Sequence, residues 1–232
     1  MVVVFENHEE SEIDRGDPSS PFEVFSDRYI DLSNYTAVAH PSLPNYLALV
    51  SGSTQGVTDD CTSCGPWSQS IGSLLTRAGK SWGGYAEGYP SSPLFAKKHM
   101  PFLYFTGGAP HVHPLTELDA RHLPAFSFVA PNLCNDAHSC PLSSADSFLA
   151  KWLPPLLTAP RTAVFVLFDE GKTSIGGGGR IEAFVAGTAV KRHVAVKRSV
   201  NHYTVLSTIE YLFGLPHLGA SRNVAPITGI WR

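Results

Sequence analysis

Two pairs of oxygen-bearing residues stand at the ends of two short apolar runs. Val2-Val3-Val4-Phe5 leads into Glu6-Asn7, and Ala163-Val164-Phe165-Val166-Leu167-Phe168 leads into Asp169-Glu170. Side by side, they would gather three carboxylates and an amide at one point. Like charges that close repel and raise each other's pKa unless a cation lies between them. The pattern therefore points to a hard divalent-metal site held by Glu6, Asn7, Asp169 and Glu170. Oxygen donors suit Ca, Mg or Mn, with Zn or Fe as alternatives. Either pair alone is what many loops begin with; the repetition at equivalent ends of two runs strengthens the metal reading, which a third element has to complete.

Between the pairs lies a nucleophile candidate. Ser42, in His40-Pro41-Ser42-Leu43-Pro44-Asn45, sits just before a helix expected to begin at Pro44. A hydroxyl there faces free backbone N–H groups, where the helix dipole favours an arriving phosphate. A cation nearby would help make the serine an alkoxide. The plainer role of a Ser at that place is an N-cap. Two histidines complete the set: His138, in the loop between Cys134 and Cys140, and His202, opening the last helix. An imidazolium beside a phosphoryl group can stabilise its charge or protonate the leaving oxygen. A lone His in a loop is more commonly solvated.

These residues need a frame. Continuous Val/Leu/Phe runs are the mark of strands buried on both faces, whose carboxyl ends open onto the ligand crevice of an α/β fold. Further strands are expected around residues 35–38, 82–85, 126–129 and 181–185. Helices are expected over 22–32, from Pro44 to Gly52, over 68–78, from Asp146 through Leu157, and over 205–213 with Gly214 as the stop. The polar stretch 9–21 reads as loop. Residues 87–122, rich in Gly, Pro and His, read as a long functional loop region. Strands and helices alternate, so the class is α/β, a three-layer sandwich around a mostly parallel sheet. At 232 residues one domain, 1–232, is expected.

Composition removes other classes. Charged residues are 16% and net charge is −3, without a basic stripe, so nucleic-acid binding has no electrostatic footing. No apolar stretch has the length of a membrane span. No signal peptide is visible: the chain starts inside its first strand, which implies a truncated amino terminus. The four cysteines form two close pairs, Cys61/Cys64 and Cys134/Cys140. They read as short-loop disulfides of an oxidising compartment, with a four-Cys zinc site as the alternative.

Taken in order, Glu6-Asn7-His8, the segment 40–52, Pro131-Asn132-Leu133-Cys134-Asn135-Asp136-Ala137-His138, Phe168-Asp169-Glu170 and Asn201-His202-Tyr203 form a pattern. The pattern resembles the phosphoesterase family that unites bacterial acid phosphatases with phospholipases C, within the alkaline-phosphatase-like superfamily. Its nearest look is to secreted actinobacterial acid phosphatases, some described as phosphatidylinositol 3-phosphatases. The resemblance implies an alkaline-phosphatase-like sheet and metal-assisted phosphoryl transfer. By position, Glu6, Asn7, Asp169 and Glu170 would hold the metal, with Ser42 as nucleophile and added ligand. Asn45, His99 and His40 would contact substrate, and His138 or His202 would serve the leaving group. It also implies an extracellular protein.

Two departures from the family pattern stand out. Gly171-Lys172, followed by the run Gly176-Gly177-Gly178-Gly179, replaces a further acidic run after Asp169-Glu170, and Glu9-Glu10 replaces the usual Ser-Tyr. The expected reaction is hydrolysis of a phosphomonoester, a phosphorylated small molecule or a phosphoinositide, through a phosphoserine. A phospholipase C-like phosphodiesterase and an inactive metal-binding surface module are the alternatives.

Overall fold

The run Val2–Phe5 (β1) forms the middle of an eight-stranded sheet in a computed structural model that describes residues 1–13 and 19–232. The neighbours of β1 are Phe126–Ala130 (β5) and Val164–Phe168 (β6), both parallel to it. Trp82–Ala86 (β3) and Val112–Pro114 (β4) extend the parallel half beyond β5. Beyond β6 come Ala183–Ala186 (β7), antiparallel, then Ile30–Asp31 (β2) and Val194–Ala195 (β8). Every residue of β1, β5, β6 and β7 is buried, as the continuous apolar runs require.

Helices cover both faces. Pro21–Arg28 (α1) packs against Leu142–Leu156 (α4), and their Phe22 and Phe148 meet the Phe5 ring edge-on. Ser42–Ser51 (α2) packs against Ile71–Arg77 (α3) and His202–Phe213 (α5). Gly52 and Gly214 end α2 and α5 in the left-handed conformation, where a Cβ is unfavourable.

The differences from expectation are local. Tyr35 and Thr36 make isolated bridges instead of a strand, and the pairing falls on Ile30–Asp31. The 87–122 region contains β4 and four short 3₁₀ turns. α4 begins at Leu142, so Asp146 lies inside it and is not its cap. Of the polar stretch 9–21, residues 10–12 form a 3₁₀ turn, and 14–18 lie outside the described residues. Both cysteine pairs are disulfides, Cys61–Cys64 and Cys134–Cys140, which excludes the four-Cys zinc site. Among the described residues no helix is long and apolar enough to cross a membrane.

Candidate active site

The register of β1 against β6 pairs Phe5 with Phe168, so the next residues, Glu6 and Asp169, leave the sheet together. The ladder continues past the strands: the Asp169 N–H donates to the Phe5 carbonyl and the Glu6 N–H to the Asp136 carbonyl, both at 2.8 Å. Asn7 turns into the left-handed region at φ 59°, which Asn tolerates, and donates its N–H to Asp169 Oδ1 at 3.0 Å. Glu6 and Asp169 are fully buried and Glu170 nearly so.

Ser42 stands between two of these carboxylates. Its Oγ lies 3.1 Å from Glu6 Oε2 and 3.2 Å from Glu170 Oε1. This corrects the expected helix start. Ser42 is the first helical residue and Pro41 the N-cap, so the hydroxyl addresses carboxylates and not backbone amides. Few first-turn amides remain for a phosphate: Leu43 N–H is taken by Asp60 Oδ1 at 3.0 Å, and Pro44 has none.

The electrostatics are those of a buried acidic cluster. Burial, then Asp169 and Asp136, hold the Glu6 carboxyl well above its usual range; burial and Glu170 do the same to Asp169. Burial raises Glu170 as well. Asp169 Oδ2 is buried with no hydrogen-bond partner among the described residues. A buried carboxylate oxygen without a donor is costly, and a cation removes that cost. The donor set of Glu6, Asp169, Glu170 and the Ser42 hydroxyl therefore fits a hard divalent ion.

The histidines divide by exposure. His138 is exposed on its disulfide-closed loop, with Nε2 3.4 Å from Lys98 Nζ. His99 is buried, 3.2 Å from Glu6 Oε1 through Nε2 and 3.0 Å from Asp136 Oδ2 through Nδ1. Burial, with the Lys98 charge behind it, pushes the His99 imidazole down to about 3. Glu6, His99 and His138 offer ligand atoms within 4.8 Å of one another, a second way to hold a cation.

Three expected site residues serve as supports. His202 is fully buried: Nδ1 meets the Tyr35 hydroxyl at 2.9 Å, and Nε2 meets the Asp169 carbonyl at 2.6 Å. Both ring nitrogens are occupied, and Nε2 holds the backbone of Asp169. Asn45 accepts the N–H groups of Val38 and Ala39 and donates to the carbonyls of Ala39 and Pro41. Those four bonds engage its whole amide, which shapes the turn before Ser42. His40 bridges Glu170 Oε2 and the Thr173 carbonyl. A cavity of about 610 Å³ between α4 and the segment after β4 is lined by none of the candidate ligands.

Residues 28–216 match the model of the phosphoesterase family. The chain belongs to the phosphoesterase family. Its chemistry is therefore hydrolysis of phosphoric esters. This phosphoesterase is 32% identical over its whole length to a phosphatidylinositol-3-phosphatase of Mycobacterium tuberculosis, of which it covers 82%. It is 30% identical to a phosphate-repressible acid phosphatase of Penicillium chrysogenum over 81% of its own length and 53% of that protein. The chain spans about half the length of the fungal acid phosphatases it matches. In fold it is similar to an alkaline phosphatase superfamily protein from Vibrio parahaemolyticus, with a TM-score of 0.68 at 13% identity. That comparison covers 98% of this chain and 70% of the other. Murine ectonucleotide pyrophosphatase/phosphodiesterase 5 shares the fold with a TM-score of 0.60 at 13% identity, over 96% and 98% of the two chains.

Sequence reasoning missed several residues of this site in the phosphoesterase. The Tyr46 hydroxyl donates to Glu6 Oε1 and its ring stacks on His99 at 5.3 Å. Its position four residues after Ser42 on α2 was a usable signal, since residues so spaced share a helix face. Asp136, Lys98 and Asp60 reach the site from separate loops and carried no such signal.

Proposed function

We propose that this chain is a metal-dependent phosphomonoesterase of the acid phosphatase type, with Ser42 as nucleophile and a phosphoserine intermediate. The observation that carries the reading is the placement of Ser42 Oγ between Glu6 and Glu170, beside the partnerless oxygen of Asp169. Glu6, Asp169, Glu170 and Ser42, with Asn7 adjoining, would hold the ion. A bound divalent cation would screen the carboxylates and supply positive charge to the serine oxygen and the phosphoryl group.

The remaining steps belong to the chain's own residues. Glu6 or Glu170 accepts the Ser42 proton as Oγ attacks phosphorus in line. The bond to the alcohol breaks, and His138, on the exposed side of the site, delivers a proton to the departing oxygen. Water then hydrolyses the phosphoserine with His138 as base, and Ser42 regains its proton. Tyr46 fixes the rotamer of Glu6, and His202 the backbone of Asp169, which is the work of supporting partners around a metal site.

The substrate class is a phosphorylated small molecule or a phosphoinositide, a reading supported by the mycobacterial relative. The two disulfides support an extracellular setting. An aryl phosphate and a choline phosphodiester assayed across pH, with and without chelator, test the proposal. Turnover of the monoester alone is expected, falling at least roughly 10³-fold in Ser42→Ala. Preference for the diester selects the phospholipase C-like activity, and undiminished turnover in Ser42→Ala with chelator removes the serine–metal mechanism.

A further inference from the structure

One carboxylate ties a cation to the helix start that carries the nucleophile. Asp60 Oδ2 accepts from Lys98 Nζ at 2.7 Å, and Asp60 Oδ1 accepts from the N–H of Leu43, the residue after Ser42, at 3.0 Å. On its other side Lys98 Nζ lies 3.4 Å from His138 Nε2. Asp60 and Lys98 thus link the residue after Ser42 to His138.

The charge of Lys98 acts inward. It offsets part of the rise that burial gives the Glu6 and Asp136 carboxyls, and Asp60, Glu6 and Asp169 all favour its ammonium form. Other cations of these loops are engaged away from the acidic cluster. Lys97 donates to the Thr62 carbonyl and covers the Tyr104 ring, Lys172 pairs with Glu12, and Arg180 pairs with Glu10.

We propose that Lys98 binds the phosphoryl oxygens of the substrate and that Asp60 is the positioning residue that aims it. The inference rests on the phosphomonoesterase reading of the Ser42 site and names the group that admits a doubly charged ester there. Glu6, Asp169 and Glu170 together bear three negative charges when ionised. A divalent cation would offset two, and His40 lies on Glu170, so an arriving dianion is favoured by a cation held at the edge of the cluster. The first turn of α2 does not supply it, because the Leu43 N–H is already spent on Asp60 and Pro44 has no N–H. Stability gives little reason for the pair, since partly exposed ion pairs contribute little and a half-buried ammonium is costly.

The test uses the metal-supplemented chain with an aryl phosphate as substrate and inorganic phosphate as competitor. Lys98→Ala is expected to raise KM for the ester and the inhibition constant for phosphate at least tenfold. Lys98→Arg should recover much of the loss. Asp60→Asn should shift both constants in the same direction by a smaller factor, with less effect on kcat. Phosphate affinity measured by calorimetry on Ser42→Ala and on Ser42→Ala/Lys98→Ala reads the same contact without turnover. Failure of the wild type to hydrolyse any ester would sink the phosphomonoesterase reading, while a tenfold affinity difference in calorimetry would still uphold Lys98 as the phosphate ligand. Phosphate affinities within twofold across both Lys98 variants, in folded protein, overturn the proposal. If Lys98→Ala does not fold, Lys98→Gln takes its place under the same criteria.

Discussion

Glu9 reaches across the chain to Thr173, accepting its N–H through Oε1 at 2.7 Å. The same carboxylate accepts the N–H groups of Lys172 and Arg180, and Glu10 pairs with Arg180. The two departures from the family pattern therefore meet in space: the acidic pair after Asn7-His8 buttresses the glycine-rich loop after Glu170. A Cβ on Gly171 would lie 2.6 Å from the Glu9 carboxyl carbon, and one on Gly179 2.7 Å from Oε1. Those glycines leave room for the buttress. Through the Thr173 carbonyl the loop holds His40, and His40 holds Glu170.

Glu9→Ala should strip three amides of their acceptor. A lost acceptor for buried donors is worth about 1–3 kcal/mol. Net destabilisation of about 2 kcal/mol is expected, with a Tm lowered by roughly 4–8 °C. Activity should fall with it, because Thr173 no longer fixes His40. Calorimetric unfolding together with aryl-phosphate kinetics checks both, and an unchanged Tm would refute the buttress.

Metal loading should act on stability and not only on rate. At about 100 times Kd a ligand that binds only the native state adds about 2.7 kcal/mol. Calcium or manganese should therefore raise Tm by roughly 5–10 °C. Asp169→Asn removes one of the repelling charges, so its metal-free form should melt above the metal-free wild type while losing the metal-induced gain. Scanning calorimetry of both proteins with chelator and with metal decides the matter. A wild type indifferent to metal would speak against the cluster as a cation site.

The pH dependence carries a sign. Burial pushes the His202 imidazole down from its ordinary 6.5 to about 4. Below 6.5 the unfolded chain binds that proton first, so the contribution of His202 is full above 6.5 and declines as pH falls toward 4. The decline is at most about 3 kcal/mol. Asp136, raised by burial to about 7, runs the other way: its contribution is full below 3.8 and is lost as pH rises through 7. Comparing wild type with His202→Gln cancels the shared carboxylates. The stability gap between them should shrink by more than about 1 kcal/mol between pH 7.5 and 4.5. A gap constant with pH would contradict the assignment.

The Cys134–Cys140 bridge encloses both Asp136 and His138. Replacing both cysteines with serine should cost about 2 kcal/mol from the short closed loop. It should also lower kcat, because Asp136 orients His99 through its Nδ1 and His138 rides on the same loop. Chemical denaturation and kinetics of the double variant measure the two effects. Full activity in the serine variant would show that the bridge does not serve the site.

The sequence by itself determined what is local or periodic. The apolar runs Val2–Phe5 and Val164–Phe168 are strands because only buried strands bury every residue, and the oxygen pairs after them follow from the chain direction. Ser42, Gly52 and Gly214 were legible for the same reason, as short-range consequences of helix geometry, although the start of α2 lay two residues earlier than Pro44 suggested. Tertiary structure decided who faces whom. The sheet order put Glu6 beside Asp169, and packing of α5 sealed His202 against Tyr35 while His138 stayed open to solvent. Asn45 turned inward to its own loop, and Asp60 and Lys98 arrived from segments with no periodic mark. The Asp60–Lys98 and Tyr35–His202 contacts span 38 and 167 positions of chain, where hydrogen-bond satisfaction and burial act on the assembled fold and leave no imprint on neighbouring residue types.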